Sequence, residues 1–244
     1  MISGWNTKYS EILKEFGYDK KQDLESAMLL DSILKKSNHS QKIREMISAK
    51  SVFVIGAGPS LTRAIPFLKK FEKVTKIVAD SALKPLVENQ IKPDIIVTDL
   101  DGDLKSLQKI GKTESIFVVH AHGDNIAQLQ IAENFKNGIG TTQTKPVGKI
   151  QNFGGFTDGD RAVFLANHFN AKKIILVGMD FDNKIGKYSK TKVSDRKVKL
   201  KKLEKAKYLL EWLAKKSKSE LFTTSKPIQG FKKIDYKELN IIIT

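Results

Sequence analysis

The chain has 244 residues and no cysteine, so neither a disulfide nor a thiolate metal centre is open to it. Apolar residues are 40% and charged residues 29%, the balance of a soluble globular chain long enough for one large domain and an accessory piece. No apolar run reaches the ~18 residues of a spanning helix, and Met1 to Tyr9 lack the basic-then-apolar order of a secretory leader. A cytoplasmic protein without membrane association is expected.

The net charge of +16 is unevenly placed: residues 181–244 carry 18 basic and 7 acidic side chains, against 25 and 20 in residues 1–180. A basic surface favours nucleic acid or phosphate ligands. Only Arg44, Arg63, Arg161 and Arg196 are arginines, and base readout leans on arginine forks. A lysine-biased, solvated surface is the plainer reading, and nucleic acid is not the expected partner despite the basic tail.

Residues 1–49 predict a helical segment. Ile12, Leu13 and Phe16 share a face, Leu24, Met28 and Leu29-Leu30 recur at helical spacing, and Ile43, Met46 and Ile47 mark a third helix. No chemistry is evident in this preface. From Ser51 the pattern alternates. Val52–Ile55 predicts a buried strand, Leu61–Lys70 a helix, Lys76–Ala79 a strand and Ala82–Asn89 a helix. Asp94–Thr98 then predicts a strand, Leu104–Ile110 a helix, Ile116–Val119 a strand and Asn125–Phe135 a helix. Asn137–Gly155 reads as an irregular connection, Asp160–Phe169 as a helix and Ile174–Val177 as the last strand of the alternation. Such alternation implies βαβ units, hence an α/β, Rossmann-like, mostly parallel and doubly wound sheet over residues 50–181. Residues 182–244 add a polar, mobile basic loop, a lysine-rich helix near Arg196–Lys216 with Leu203, Ala206, Leu210 and Leu213 on one face, and a tail ending Asn240–Thr244 as a short strand or helix.

Ligands of an open parallel sheet bind outside the carboxyl ends of its strands, and the unusual residues gather there. The first strand runs into Gly56-Ala57-Gly58-Pro59-Ser60, a loop whose glycines let backbone N–H groups approach a phosphate. Asp80 follows 24 residues after Gly56, where a dinucleotide fold places its ribose acid, but Leu61 replaces the third glycine of that fingerprint. A phosphate or nucleotide role, a plain tight turn and a dinucleotide site remain open. Asp99, Asp101 and Asp103 crowd the next edge. Mutually repelling carboxylates need a cation or donors, and hard oxygen ligands suit Mg²⁺. Asp103 fits better as the cap of the following helix.

After the fourth strand come His120, His122, Asp124 and Asn125. Paired histidines allow a zinc reading, but no third strong ligand follows at familiar spacing. A polar rim touching substrate, or a helix cap at Asp124 or Asn125, are the other readings. Thr157 and Asp158, before Asp160, suit either a helix cap or a ligand contact. Among Lys184–Lys207, one or two lysines could close over phosphates as a lid, the rest being a solvated face.

Taken in order, Gly-Ala-Gly-Pro-Ser-Leu, Ala-Asp-Ser-Ala, Thr-Asp-Leu-Asp-Gly, His-Ala-His-Gly-Asp-Asn, Gly-Phe-Thr-Asp-Gly-Asp-Arg-Ala and Val-Gly-Met-Asp-Phe span about residues 50–182. This series resembles the archaeal 6-hydroxymethyl-7,8-dihydropterin pyrophosphokinase family, a relative of thiamine pyrophosphokinase. The resemblance implies Mg²⁺- and ATP-dependent transfer of diphosphate to the pterin alcohol, releasing AMP, in the making of a methanopterin or folate-type cofactor. It implies Asp80, Asp99 and Asp101 around the metal, with Asp99 and Asp101 as the catalytic pair. Gly56, Gly58, Pro59, Ser60, Asp80, Thr157 and Asp158 would face nucleotide and phosphate, and His122, Asp124 and Asn125 the acceptor. Thiamine as acceptor, and a nucleotide-sugar-dependent transferase, are the alternatives. A homodimer is left open.

Overall fold

The computed structural model describes residues 1–35, 38–182, 184–189 and 192–243. Its sheet follows from the apolar runs. In β1 (Ser51–Ile55), Val52 and Val54 face one layer while Phe53 and Ile55 face the other, and all four are fully buried. Burial on both faces belongs to the middle of a parallel sheet. The other strands are β2 (Thr75–Ala79), β3 (Ile95–Thr98), β4 (Ile116–Ala121), β5 (Gly138–Thr142), β6 (Lys173–Val177), β7 (Glu220–Thr223) and β8 (Lys232–Lys233). They form one eight-stranded sheet in the order β5-β4-β3-β2-β1-β6-β7-β8, with every neighbouring pair parallel. The chain winds outward from β1 to β5, then crosses back to lay β6 on the other flank of β1. The register Ile55↔Val177 sets the loops after β1 and β6 side by side at this switch point.

The helices, in chain order, are α1 (Trp5–Phe16), α2 (Lys20–Ile33), α3 (His39–Ile47), α4 (Leu61–Leu68), α5 (Asp80–Glu88), α6 (Leu104–Gly111), α7 (Asp158–His168), α8 (Arg196–Ala214) and α9 (Leu239–Ile243). Helices α1, α3, α7 and α8 share a core with Val52, Val54, Val97 and Val118. Helices α2, α4, α5 and α6 cover Phe53, Ile55, Ile96 and Phe117 on the opposite face. The preface thus wraps the sheet from both sides. No helix among the described residues is long and apolar enough to cross a membrane.

Several expectations are corrected. Leu24, Met28 and Leu29 do not form the inner face of α2: they are exposed, and Asp23, Ser26, Ala27 and Leu30 point inward. The reason is Asp23, whose buried carboxylate accepts from Tyr9 Oη at 2.6 Å, Gln143 Nε2 at 2.9 Å and the Gly123 amide at 2.9 Å. The connection 137–155 contains β5, whose glycines hide it from an apolar count. A Cβ on Gly140 would lie 2.3 Å from Ile150 Cδ1 and 3.1 Å from Leu30 Cδ2, so the strand is glycine-rich because side chains pack onto its backbone. His120 and Ala121 belong to β4 and not to the loop after it. The helix expected over 125–135 is a 3₁₀ run, Gly123–Asn134, with Asn125 outside helical geometry. Strands β7 and β8 follow β6, which is therefore not the last. The tail forms α9, Thr244 lying outside the described residues. So do Asn183, Lys190 and Thr191 of the basic loop; Val193–Asp195 of that loop makes a 3₁₀ turn.

Candidate active site

Four strand ends and helix starts converge on one cluster of carboxylates. Asp80 opens α5 directly after β2 and is 1% exposed. Its Oδ2 accepts from Thr98 Oγ1 at 2.5 Å and the Gly102 amide at 3.1 Å, while Oδ1 is buried without a partner. A Cβ at Gly102 would fall 1.7 Å from that Oδ1, so only glycine lets the turn after β3 close over Asp80. Between Asp99 and Asp101, Leu100 takes a left-handed φ of 72°, a conformation costing roughly 1–3 kcal/mol outside glycine. It is held by burial of its side chain and by its amide, which donates to Thr98 Oγ1 at 2.8 Å. Asp158 opens α7, with a capping box formed by Thr157 and Asp160. Each of Asp80, Asp99, Asp101 and Asp158 offers a carboxylate oxygen within 4.8 Å of the others.

The electrostatics follow from burial and crowding. Burial, reinforced by the Asp99 and Asp101 charges, pushes the Asp80 carboxyl up to about 7. Burial and the Asp99 charge push Asp101 up to about 6, and burial with the Asp99 and Asp80 charges raises Asp158 well above the usual range. Asp99 departs from this pattern. Burial opposes its ionisation, but the hydrogen bond and charge of His122, whose Nε2 lies 3.6 Å from Asp99 Oδ2, hold it below the ordinary carboxylate range. Asp99 Oδ1, like Asp80 Oδ1, is buried without a partner. An all-oxygen donor set with two orphaned buried oxygens fits a hard divalent cation, Mg²⁺ by its chemistry.

Beside the cluster lies a cavity at the β1/β6 switch point, between Gly56–Gly58 and Gly178–Phe181. Close packing of the two loops demands their glycines: a Cβ on Gly58 would sit 2.3 Å from Asp180 Oδ2, and Gly178 has φ 64°. The loop's amides are largely spent on the protein. Gly56 N donates to Val177 O at 2.9 Å, Gly58 N to Gly178 O at 2.7 Å, and Ser60 N and Oγ both donate to Asp180 Oδ2 at 2.8 Å. The N-terminus of α4 already carries an anion, the Asp180 side chain. The loop therefore offers a close surface with apolar neighbours Ala79, Met179 and Leu203, and Lys184, Lys199 and Lys202 bring cations to the same cavity.

The structure brings together Asp80, Asp99, Asp101 and Asp158. Asp158, expected on the phosphate side, joins the metal set, and with Thr157 also lines the cavity. Pro59 and Ser60 turn the chain into α4. His122 and Asp124 face a second opening, described below. Asn125 is 4% exposed and serves as a brace: its Nδ2 donates to His120 O and Asp99 O at 2.7 and 2.8 Å, and its Oδ1 accepts from His122 N at 3.0 Å. His120 is buried with both ring nitrogens unpartnered, burial holding it neutral, and stacks on His122 at 5.6 Å. The grouping of metal-capable residues among the described ones is all-carboxylate and leaves both histidines out, so the zinc reading finds no support. Asp103 is the cap of α6, accepting from Ser106 N at 3.0 Å.

Three residues of the candidate site were missed in the sequence. Arg161 is 3% exposed, pairs with Asp158 at 3.5 Å and donates to Phe156 O at 2.9 Å, placing the cluster's buried counter-charge. Its signal was present as an arginine directly after Thr-Asp-Gly-Asp. Asp180 was visible only as a strand-end acid. Lys202, among many lysines, had no distinguishing mark. Its ammonium lies 5.6 Å from the Tyr18 ring centre and 6.0 Å from that of Phe156. Burial works against its charge, but Tyr18 and the Asp99 and Asp124 charges keep it protonated above the usual lysine range.

A family described as "6-hydroxymethylpterin diphosphokinase MptE-like" matches residues 26–186 of the chain. A protein of Methanocaldococcus jannaschii named 6-hydroxymethyl-7,8-dihydropterin pyrophosphokinase is 43% identical over 233 residues, 88% of this chain and 97% of that relative. Proteins of the same name from Pyrococcus furiosus, 43% identical over 91% of this chain and 97% of the relative, and Methanothermobacter thermautotrophicus, 41% identical over 87% and 94%, are similar to it over the same extent. Among solved structures, the MAf glycosyltransferase of Magnetospirillum magneticum superposes with a TM-score of 0.58 at 13% identity, over 88% of this chain. This chain spans 39% of that structure's length, and the likeness is one of fold.

Proposed function

The chain belongs to the MptE-like 6-hydroxymethylpterin diphosphokinase family, and from that membership we infer that it transfers diphosphate from ATP to 6-hydroxymethyl-7,8-dihydropterin. The hydroxymethyl oxygen attacks the β-phosphorus, the bond from that phosphorus to the α,β-bridging oxygen breaks, and AMP leaves. The alcohol proton is released to solvent. At the site, the observation that carries this reading is the carboxylate quartet with its two orphaned oxygens, set beside a glycine-walled cavity with three lysines.

In such transfers the protein mainly positions reactants and neutralises charge. The nucleoside would lie on the Gly56–Ser60 surface against Met179 and Leu203, with its phosphates directed to Lys199, Lys202 and the cluster. Asp80, Asp99, Asp101 and Asp158 would hold Mg²⁺, which supplies charge neutralisation on the phosphate oxygens when bound. Arg161 keeps Asp158 turned to the cluster. Metal-bound carboxylates are poor bases, and no general base is assigned. The substrates are small molecules, the place of action is the cytoplasm, and no nucleic-acid partner is assigned; of the α8 lysines, Lys205 is spent within the fold, pairing with Glu15 at 2.9 Å and Glu11 at 3.5 Å.

The test is AMP release from ATP and Mg²⁺ with 6-hydroxymethyl-7,8-dihydropterin and thiamine in separate reactions. AMP formed with the pterin alone is the expected result. AMP with thiamine alone moves the acceptor, and AMP with neither overturns the reading.

A further inference from the structure

Resting on that reading, we propose that the acceptor binds in a slot between the α1–α2 turn and the loop after β4, which adjoins Asp99 through His122. The slot, about 150 Å³, is lined by Tyr18, Asp19, Gln22, His122, Asp124 and Gln143 among others. It places the preface, which showed no chemistry in sequence, in the wall of the site.

Position supports the assignment. Asp158 of the carboxylate cluster lines the nucleotide cavity, while Asp99 touches His122, which lines the slot. Displacement at the β-phosphorus needs nucleophile and leaving group on opposite sides; the cavity reaches the cluster through Asp158, and the slot reaches it through His122 beside Asp99. His122 Nδ1 receives the Asp124 amide at 3.3 Å, and its Nε2 faces Asp99 Oδ2 at 3.6 Å, so the ring is held between the slot and the cluster. Lys202 stands at the junction, lining the cavity while lying over Tyr18.

The chemistry of the walls discriminates between the substrates. Asp23 is saturated by Tyr9, Gln143 and Gly123 and shapes the floor. Asp19 and Asp124 are exposed to the opening. Two carboxylates repel a triphosphate, but the amino-pyrimidinone edge of a pterin presents adjacent N–H donors, which a carboxylate accepts side by side. Tyr18, stacked on Phe16 at 5.9 Å and 13°, supplies an aromatic wall for a flat ring.

The experiment compares the whole protein with Asp124→Asn, Asp19→Asn and the double variant. Asparagine keeps the N-cap that Asp19 gives α2, and Asp124 is exposed, so the fold is retained. Steady-state AMP release gives KM for each substrate, and quenching of pterin fluorescence without ATP gives Kd for the acceptor. Losing a charge-assisted bond predicts a rise of about tenfold in pterin Kd and KM in at least one single variant, and more in the double. KM for ATP is expected to stay within about twofold. Unchanged pterin binding in all three variants, with a wild type that turns pterin over, overturns the slot alone. A wild type that forms no AMP with the pterin overturns the functional reading and the slot with it.

Discussion

Replacing Asp80 by asparagine should make the metal-free protein more stable while removing its activity. The amide oxygen can accept from Thr98 and Gly102 as Oδ2 now does, and the amide nitrogen takes the place of the orphaned Oδ1, where it can donate to a neighbouring carboxylate. The wild-type carboxyl titrates near 7 in the fold against 3.8 for an ordinary aspartate. The folded form therefore holds a proton the unfolded chain has lost, and stability falls as pH rises through that window, the loss being complete above the folded value. The separation is worth on the order of 4 kcal/mol, an upper limit because the cluster relaxes, and each kcal/mol moves Tm by roughly 2–4 °C in a chain of this size. The variant escapes the loss. In chelator near pH 8 it should melt several degrees above wild type, and near pH 5 the gap should shrink by more than half. Added Mg²⁺ should raise the wild type and close or reverse the gap, because ligand binding to the folded state stabilises it. Thermal melts over pH with chelator or Mg²⁺ measure this directly. A variant that melts no higher than wild type near pH 8 without metal would refute the argument that burial, reinforced by the neighbouring carboxylates, raises the Asp80 carboxyl.

Asp101→Asn removes a cluster ligand from a solvent-exposed position and should lower turnover at least ~100-fold, with circular dichroism and Tm retained; an active or unfolded variant would remove Asp101 from the site. Gly186 packs on the glycine loop so closely that a Cβ would lie 1.8 Å from Ala57 O. Gly186→Ala should push residues 184–189 off the cavity and raise KM for ATP about tenfold with little change in Tm, and an unchanged KM would mean that this segment does not cover the nucleotide.

Much of the site was legible because of where a parallel sheet puts its loops. Apolar runs at β1, β2, β3, β4 and β6 located the strand ends, for β4 two residues early, and the polar residues following them were accordingly candidates. Asp99 and Asp101 stood out by crowding alone. What sequence spacing did not carry was direction. Asp158 looked like a helix-cap residue, and it is beside one, but the start of α7 also aims it at Asp80 and Asp99 across the sheet edge. Asn125 looked like a rim residue and is a brace, since only the structure shows three backbone groups meeting its amide. The glycine loop looked like an anion cradle, and its amides turn out to face Val177, Gly178 and Asp180 from the neighbouring strand end.

The sequence by itself determined the α/β alternation, the parallel core and the carboxylate-rich edge, because buried strands, caps and turn glycines are local demands on residue type. Tertiary structure decided the rest. Pairing of β1 with β6 builds the cavity from loops about 120 residues apart (Ser60 to Asp180), burial of Asp23 turns α2 over and sets its first turn against Gly123, and one lysine of many on α8 is brought over Tyr18. Each of these is a contact between distant segments, and no local pattern records such a contact before the chain has folded.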